Sequence, residues 1–234
     1  MKQTTFLAII FILFLMPCLA QKVETKTVTV VSTNLCGSTK FPLDEAHKNV
    51  IQGIQLSQAK KFEEAAKAFE QAIALNPERC DAFVVLSYVY RELGRYSDAI
   101  DSAQKAIKLY PKSSMAYHNY GEALMRLKHF DEAAKAFENA IEFHPQKKQS
   151  QVSLSWAYLE LGRFQDAAQT AKEAIELFPT SAMAHNNLGY ALARLARYEE
   201  AVEALNKALE IDPNLQKARS NLAYVCKNSG LGCP

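Results

Sequence analysis

SMAYHNYGEALMRLKHFDEAAKAFENAIEFHPQK, residues 114–147, is one complete copy of the pattern that organises this chain. Its proline, Pro145, has counterparts at Pro77, Pro111, Pro179 and Pro213, each 34 residues from the next without an insertion. A fixed period of this length marks one supersecondary unit copied along a chain. Within residues 114–147, positions 4, 7, 8 and 11 of the unit (Tyr117, Tyr120, Gly121, Leu124) fall on one stripe of a first helix. Positions 20, 24, 27 and 28 (Ala133, Phe137, Ala140, Ile141) fall on one stripe of a second. A short break at positions 14 to 16, carrying Gly94 or Gly162 in two copies, turns one helix into the other. The proline ends the second helix, because it lacks an N–H and restricts the residue before it.

Working outward, the units span 46–79, 80–113, 114–147, 148–181 and 182–215, and half a unit follows at 216–227. Position 20 is Ala in every copy (Ala65, Ala99, Ala133, Ala167, Ala201), and so is position 27 (Ala72, Ala106, Ala140, Ala174, Ala208). Position 8 is always small (Gly53, Ser87, Gly121, Ser155, Gly189) and position 17 always aromatic (Phe62, Tyr96, Phe130, Phe164, Tyr198). Such a set suits closely crossing helices packed knob against notch. One hairpin cannot bury both of its apolar stripes, so neighbours must stack and share a core.

These residues resemble the tetratricopeptide repeat: Phe83, Leu86, Ser87, Tyr90, Ala99, Ala106 and Pro111 in the second unit, and Tyr117, Gly121, Ala133, Phe137, Ala140 and Pro145 in the third. The first unit departs most, with Asn49 and Gln52 where apolar residues belong. The resemblance implies an all-α, right-handed superhelical solenoid of five helix-turn-helix repeats plus a C-terminal capping helix. It also implies that the first helices line a concave groove that binds protein segments.

A second period lies inside the first. Repeats two and four pair Tyr at position 11 with Ala at position 24 (Tyr90 with Ala103, Tyr158 with Ala171). Repeats one, three and five pair Leu56 with Phe69, Leu124 with Phe137, and Leu192 with Leu205. Large alternates with small, so positions 11 and 24 are expected to touch and conserve their summed volume, in an array that grew by copying a two-repeat block.

At the N-terminus, Lys2, an apolar run from Phe6 to Met16 and Pro17–Cys18–Leu19–Ala20 read as a signal peptide over residues 1–20, and the mature chain is expected to be exported, to a periplasm or secreted. Membrane anchoring, through an uncleaved leader or a lipidated Cys18, is the alternative. Residues 21–45 belong to no repeat, alternate Thr with Val from Val23 to Val31, and read as an extended or flexible leader ending at a helix cap, Asp44. Cleavage leaves Cys36, Cys80, Cys226 and Cys233, an even count suited to an oxidising compartment. Cys226 with Cys233 and Cys36 with Cys80 is one of three pairings, and free thiols are the alternative. Lys217, Arg219, Asn221 and Lys227 are expected to solvate the capping helix, and residues 228–234 form a tail.

Positions 2, 5, 9, 12 and 13 point into the groove that the resemblance implies. Position 9 reads Ile54, Tyr88, Glu122, Trp156, Tyr190 and Tyr224, an aromatic row that includes the single Trp of the chain. With Arg91, His118, Asn119, Leu159, Asn187 and Asn221 around it, this wall suits an extended peptide or an amphipathic helix. Asn119, Asn187 and Asn221 share position 6 and make only part of an asparagine ladder. Position 13 alternates Gln58, Glu92, Arg126, Glu160 and Arg194, which predicts weak ion pairs between neighbours.

The five His residues occupy different repeat positions without a second ligand at metal spacing, and no phosphate loop or nucleophile motif occurs. No enzyme, metal or cofactor is expected. A formal charge of +2 is too small and dispersed for nucleic acid, and past the leader no apolar run approaches spanning length. The expected role is a non-catalytic scaffold for a protein or peptide partner; self-association into a homo-oligomer, or service as an accessory subunit of an envelope enzyme, is the alternative.

Overall fold

A computed structural model describes Cys36 and residues 43–145 and 148–230. Two expected features, the leader at 1–20 and the Thr/Val stretch, lie outside these residues. The described chain contains eleven helices and no strand: α1 (Glu45–Gln58), α2 (Phe62–Leu75), α3 (Cys80–Glu92), α4 (Tyr96–Leu109), α5 (Ser114–Arg126), α6 (Phe130–Phe143), α7 (Lys148–Glu160), α8 (Phe164–Leu177), α9 (Ala182–Arg194), α10 (Tyr198–Ile211) and α11 (Gln216–Ser229). Successive hairpins stack into a helical-repeat solenoid. None of these helices is long and apolar enough to cross a membrane.

Each hairpin turns through the same backbone device. Position 15 takes a left-handed conformation in all five repeats: Lys60 (φ 58°), Gly94 (75°), Lys128 (63°), Gly162 (71°) and Ala196 (58°). The next N–H then reaches back along the chain, as from Arg95 to the carbonyl of Tyr90 (2.8 Å) and from Arg163 to that of Tyr158 (2.9 Å), satisfying carbonyls that the helix end would leave open. Glycine relieves the strain of this conformation only in repeats two and four. Asp44 caps α1 through the N–H of His47 (2.9 Å), and Ser113 and Ser181 cap α5 and α9.

The ten invariant alanines are all fully buried, as a close crossing of the paired helices requires. The volume compensation across each hairpin includes a position that the expected pairing left out. The residue at position 24 shares a core cluster with position 11 in repeats three and five, and it also sits directly over position 8. A Cβ built on Gly53 would lie 2.7 Å from Phe69 Cζ, one on Gly121 2.6 Å from Phe137 Cε1, and one on Gly189 2.6 Å from Leu205 Cγ. Repeats two and four have Ser87 and Ser155 at position 8 and Ala103 and Ala171 at position 24. Gly therefore pairs with large, and Ser with Ala.

The tyrosines at position 11 point the other way, onto the preceding repeat. Tyr90 Oη donates to Glu70 Oε1 and Tyr158 Oη to Glu138 Oε1, both at 2.7 Å. Burial, reinforced by these bonds, pushes both phenols up to about 12. The other junctions use asparagine: Asn119 Nδ2 donates to Val84 O and Ser87 Oγ, and Asn187 Nδ2 to Val152 O and Ser155 Oγ. The two-repeat block thus alternates two kinds of polar staple, Tyr–Glu into repeats two and four, Asn–Ser into repeats three and five.

The first repeat is held from outside the period. Cys36 and Cys80 form a disulfide with Cα atoms 6.1 Å apart, and Cys36 is wholly buried with Phe83, Val84 and Ala106. Next to it Arg79, also wholly buried, makes a two-pronged ion pair with Asp81 (Nη2–Oδ2 2.7 Å, Nε–Oδ1 3.1 Å). Its Nη2 also donates to His47 Nδ1 (3.3 Å), and Asp44 lies 3.9 Å from Nη1. Burial, then the Arg79 charge, lowers the pKa of His47, which suits a neutral ring accepting from Arg79. Cys36 and Asp44, both upstream of α1, are thus fastened at the junction of the first and second repeats.

The disulfide joins residues 44 apart in sequence. Closing a loop of that length restricts the unfolded chain, so Cys80→Ser should lower stability by about 2–4 kcal/mol. Hydrogen exchange should quicken in α1 and α3 and stay unchanged in α9; uniform protection in both proteins would show that the bond holds nothing together. Cys226 is also disulfide-bonded, and Cys233, its expected partner, lies outside the described residues.

Candidate functional site

The odd-numbered helices, first in each hairpin, present positions 2, 5, 9 and 12 on one shared face, and the expected groove residues divide among several environments on it. Five line a cavity of about 390 Å³ formed by α7, α9 and α11: Trp156, Leu159, Asn187, Tyr190 and Asn221. Arg91 and His118 line a second, of about 430 Å³, with Glu122, Val152 and Ser153. Tyr88 and Tyr224 line neither; Tyr88 packs edge-on against Phe62 (centroids 6.3 Å), and Tyr224 is exposed on the last helix.

Around the first cavity, charge and aromatic rings are arranged together. Trp156 is half-buried, and its Nε1 donates to Glu160 Oε1 (2.9 Å). Lys217 Nζ stands 4.8 Å from the ring centroid, within cation–π range. Arg194 lies 4.3 Å from the Phe164 centroid, and its Nη1 donates to Tyr190 Oη (3.1 Å). Among the described residues neither Lys217 nor Arg194 makes an ion pair. Trp156 and Tyr190 thus stand among polar lining groups, with Lys217 at the edge over one ring and Arg194, outside the lining, bonded to the other.

Around the second cavity the charges are already matched. Glu122 accepts from Ser153 Oγ (2.5 Å) and lies 3.8 Å from Arg91 Nη1, while Arg91 Nη2 also reaches Glu92 (2.7 Å) and the guanidinium covers the Tyr88 ring at 5.0 Å. His118 Nδ1 lies 3.1 Å from Ser150 Oγ, and its ring packs near Phe137. These groups tie repeats two, three and four to one another as much as they offer contacts to a ligand.

Several expectations need correction. Asn119 and Asn187 are buried, and their amide N–H groups are taken up by the preceding repeat, so they fasten repeats together. Asn221 donates likewise to Asn186 Oδ1 (2.9 Å). Leu159 is buried beneath the wall. Lys217 does not simply solvate the cap, since it lies over Trp156. The alternating charges at position 13 form no ion pairs with one another among the described residues: Glu92 takes Arg91, Glu160 takes Trp156, and Arg194 takes aromatic rings. Of the residues that shape the site, Glu160 and Lys217 were visible as charges but not as aromatic partners, because the contact from Lys217 to Trp156 crosses two repeats.

A family model described as tetratricopeptide repeat matches four overlapping spans, 52–114, 84–149, 118–182 and 152–215. No curated protein matches the chain in sequence. Among solved structures, MamA from Desulfovibrio magneticus RS-1 superposes with a TM-score of 0.67 at 20% identity, over 74% of this chain and 97% of that one. YrrB, described as a TPR protein with an unusual peptide-binding site, gives 0.64 at 22% identity, over 76% and 91%. A thermophilic TPR protein from Thermus thermophilus gives 0.60 at 21%, over 78% and 99%. At these identities the likeness is one of fold.

Proposed function

This chain belongs to the tetratricopeptide repeat family, and from that premise we propose that it is a non-catalytic scaffold that binds a peptide or helical segment of another protein along the first-helix face. The observation that carries the proposal is the Trp156–Tyr190 cavity. It has half-buried aromatic area on rigid helices, and among the described residues Lys217 and Arg194 beside it meet rings and a phenol in place of a carboxylate. Aromatic side chains supply binding area at low entropic cost, and cations at the rim favour a segment carrying acidic or carbonyl groups next to its apolar anchor. That YrrB is described with a peptide-binding site agrees with this use of the fold.

The leader-like residues 1–20 and the Cys36–Cys80 bond support export, and with it a role in assembly within the cell envelope or a secretory compartment. A second reading rests on the exposed Leu43 (76%) and Leu75 (58%), which lie near the first repeat and could join copies of the chain. Sedimentation at increasing concentration separates the two: a constant monomer mass leaves the groove, and a shift to dimer lost in Leu43→Ser, Leu75→Ser supports self-association.

The groove itself is tested by capture from envelope extracts, with a Trp156→Ala, Tyr190→Ala chain beside the parent. Hot-spot aromatics typically cost about 2 kcal/mol or more when truncated, so the double variant should retain its partner at least about tenfold less while melting close to the parent. Equal retention by both would remove the site.

A further inference from the structure

The even-numbered helices form the opposite side of the solenoid, and between each successive pair runs a groove floored by positions 7 and 11 of the next first helix. Three of these grooves are bridged by a tyrosine bound to position 25 of the preceding repeat. Tyr90 bonds Glu70 between repeats one and two, Tyr120 accepts from Gln104 Nε2 (3.2 Å) between two and three, and Tyr158 bonds Glu138 between three and four. Between repeats four and five positions 7 and 11 are Leu188 and Leu192, and position 25 is Lys172, with no tyrosine to meet. The groove there encloses about 840 Å³, against about 320 Å³ between repeats one and two.

Its floor is apolar, with Ile175, Leu188 and Leu192, and its rim is acidic. Glu176, Glu200, Glu203 and Glu210 line it against Lys172 and Lys207. Glu200 is held by Arg197 and Glu210 by Lys207, which leaves two carboxylates, Glu176 and Glu203, and one cation, Lys172, without an ion pair among the described residues, a net negative rim. The walls, α8 and α10, are 14 residues each, about 21 Å long. An apolar trough of helical length with acidic edges complements one shape and one charge.

We propose that the groove between α8 and α10 is a second docking surface, which takes an amphipathic helix of a partner protein whose apolar stripe is flanked by lysine or arginine. The apolar stripe replaces the missing tyrosine over Leu188 and Leu192, and the basic flanks meet Glu176 and Glu203. This surface is separate from the Trp156–Tyr190 cavity, so the scaffold would hold two segments on opposite sides.

The probe is a panel of helical peptides of about 14 residues, with Leu or Ile at i, i+3, i+4 and i+7 and either Lys or Glu at the flanks. Binding to the whole protein is read by fluorescence anisotropy. Lys-flanked peptides should bind, and should lose at least about tenfold in affinity with Leu188→Tyr, Lys172→Gln, which rebuilds the bridge of the second junction on a repeat of the same class. The surface variant Glu176→Lys, Glu203→Lys should transfer the preference to Glu-flanked peptides, and Trp156→Ala, Tyr190→Ala should change nothing. The proposal is overturned if no Lys-flanked peptide binds, if both flanks bind alike, if the bridged variant melts like the parent and still binds, or if the aromatic double variant abolishes binding.

Discussion

Asp81→Ala should lower the stability of the folded chain by about 3–5 kcal/mol, the range for removing one partner of a buried ion pair. Arg79 is wholly buried and Asp81 is 1% exposed, so neither charge is returned to water when the other is lost. Asp81 gives both carboxylate oxygens to the guanidinium, and Oδ1 also accepts from the N–H of Ala82 at the start of α3 (2.9 Å). His47 at 3.3 Å and Asp44 at 3.9 Å each offer a single, longer contact, a poor substitute for a two-pronged carboxylate. Replacing both partners with apolar residues, Arg79→Met with Asp81→Leu, should recover much of the loss, because it removes both buried charges together. Chemical denaturation checks both; a loss below about 1 kcal/mol for Asp81→Ala would mean the cluster is open to solvent.

The second large effect concerns the Gly–Phe and Ser–Ala alternation. Gly121→Ser places a Cβ 2.6 Å from the Phe137 ring and should cost about 1–3 kcal/mol by overpacking. Phe137→Ala should cost about 3–5 kcal/mol, since that ring is fully buried over a residue with no side chain to fill the space. Together they reproduce the pairing of repeats two and four, where Ser87 Oγ donates to Val84 O and Ser155 Oγ to Val152 O. The double variant should therefore be more stable than the sum of the two changes by about 1–3 kcal/mol. The converse follows in repeat two, where Ala103→Phe alone overpacks and Ser87→Gly relieves it. Additive losses in the first cycle would show that positions 8 and 24 do not meet.

These cases show why the fold was more legible than its contacts. A 34-residue period identifies helices, turns and small positions directly, because every copy repeats the same constraint. Alternation between copies shows that positions 8, 11 and 24 vary together. It does not show how closely position 24 faces position 8, since 8 and 11 lie one helical turn apart on the same stripe. Arg79 was unreadable for a different reason: an arginine in an inter-helix loop is ordinarily solvated, and its burial against Asp81, His47 and Asp44 comes from contacts that the repeat period does not encode.

At the candidate site, the aromatic row was visible, and Trp156 and Tyr190 do share a cavity. The inter-repeat bonds of the asparagines were not legible because position 6 looks outward on an isolated helix, whereas stacking brings Ser87 and Ser155 of the preceding repeat within reach. The signal for that was present, since Asn119 and Asn187 each follow a repeat with Ser at position 8. The bridging tyrosines are similar: a hydroxyl at position 7 or 11 has no visible partner on one repeat alone, and Glu70, Gln104 and Glu138 come within its reach only through stacking.

Trp156 is the single tryptophan of the chain, so its emission reports the groove without a label. The most direct measurement is its fluorescence and acrylamide quenching as the captured partner, or the peptide mapped from it, is titrated in. Occupation of the first-helix face predicts a blue-shifted emission and reduced quenching that saturate with binding, both lost when Tyr190→Ala weakens the complex. Saturable binding that leaves the emission and quenching of Trp156 unchanged would contradict the central claim and place recognition elsewhere on the solenoid.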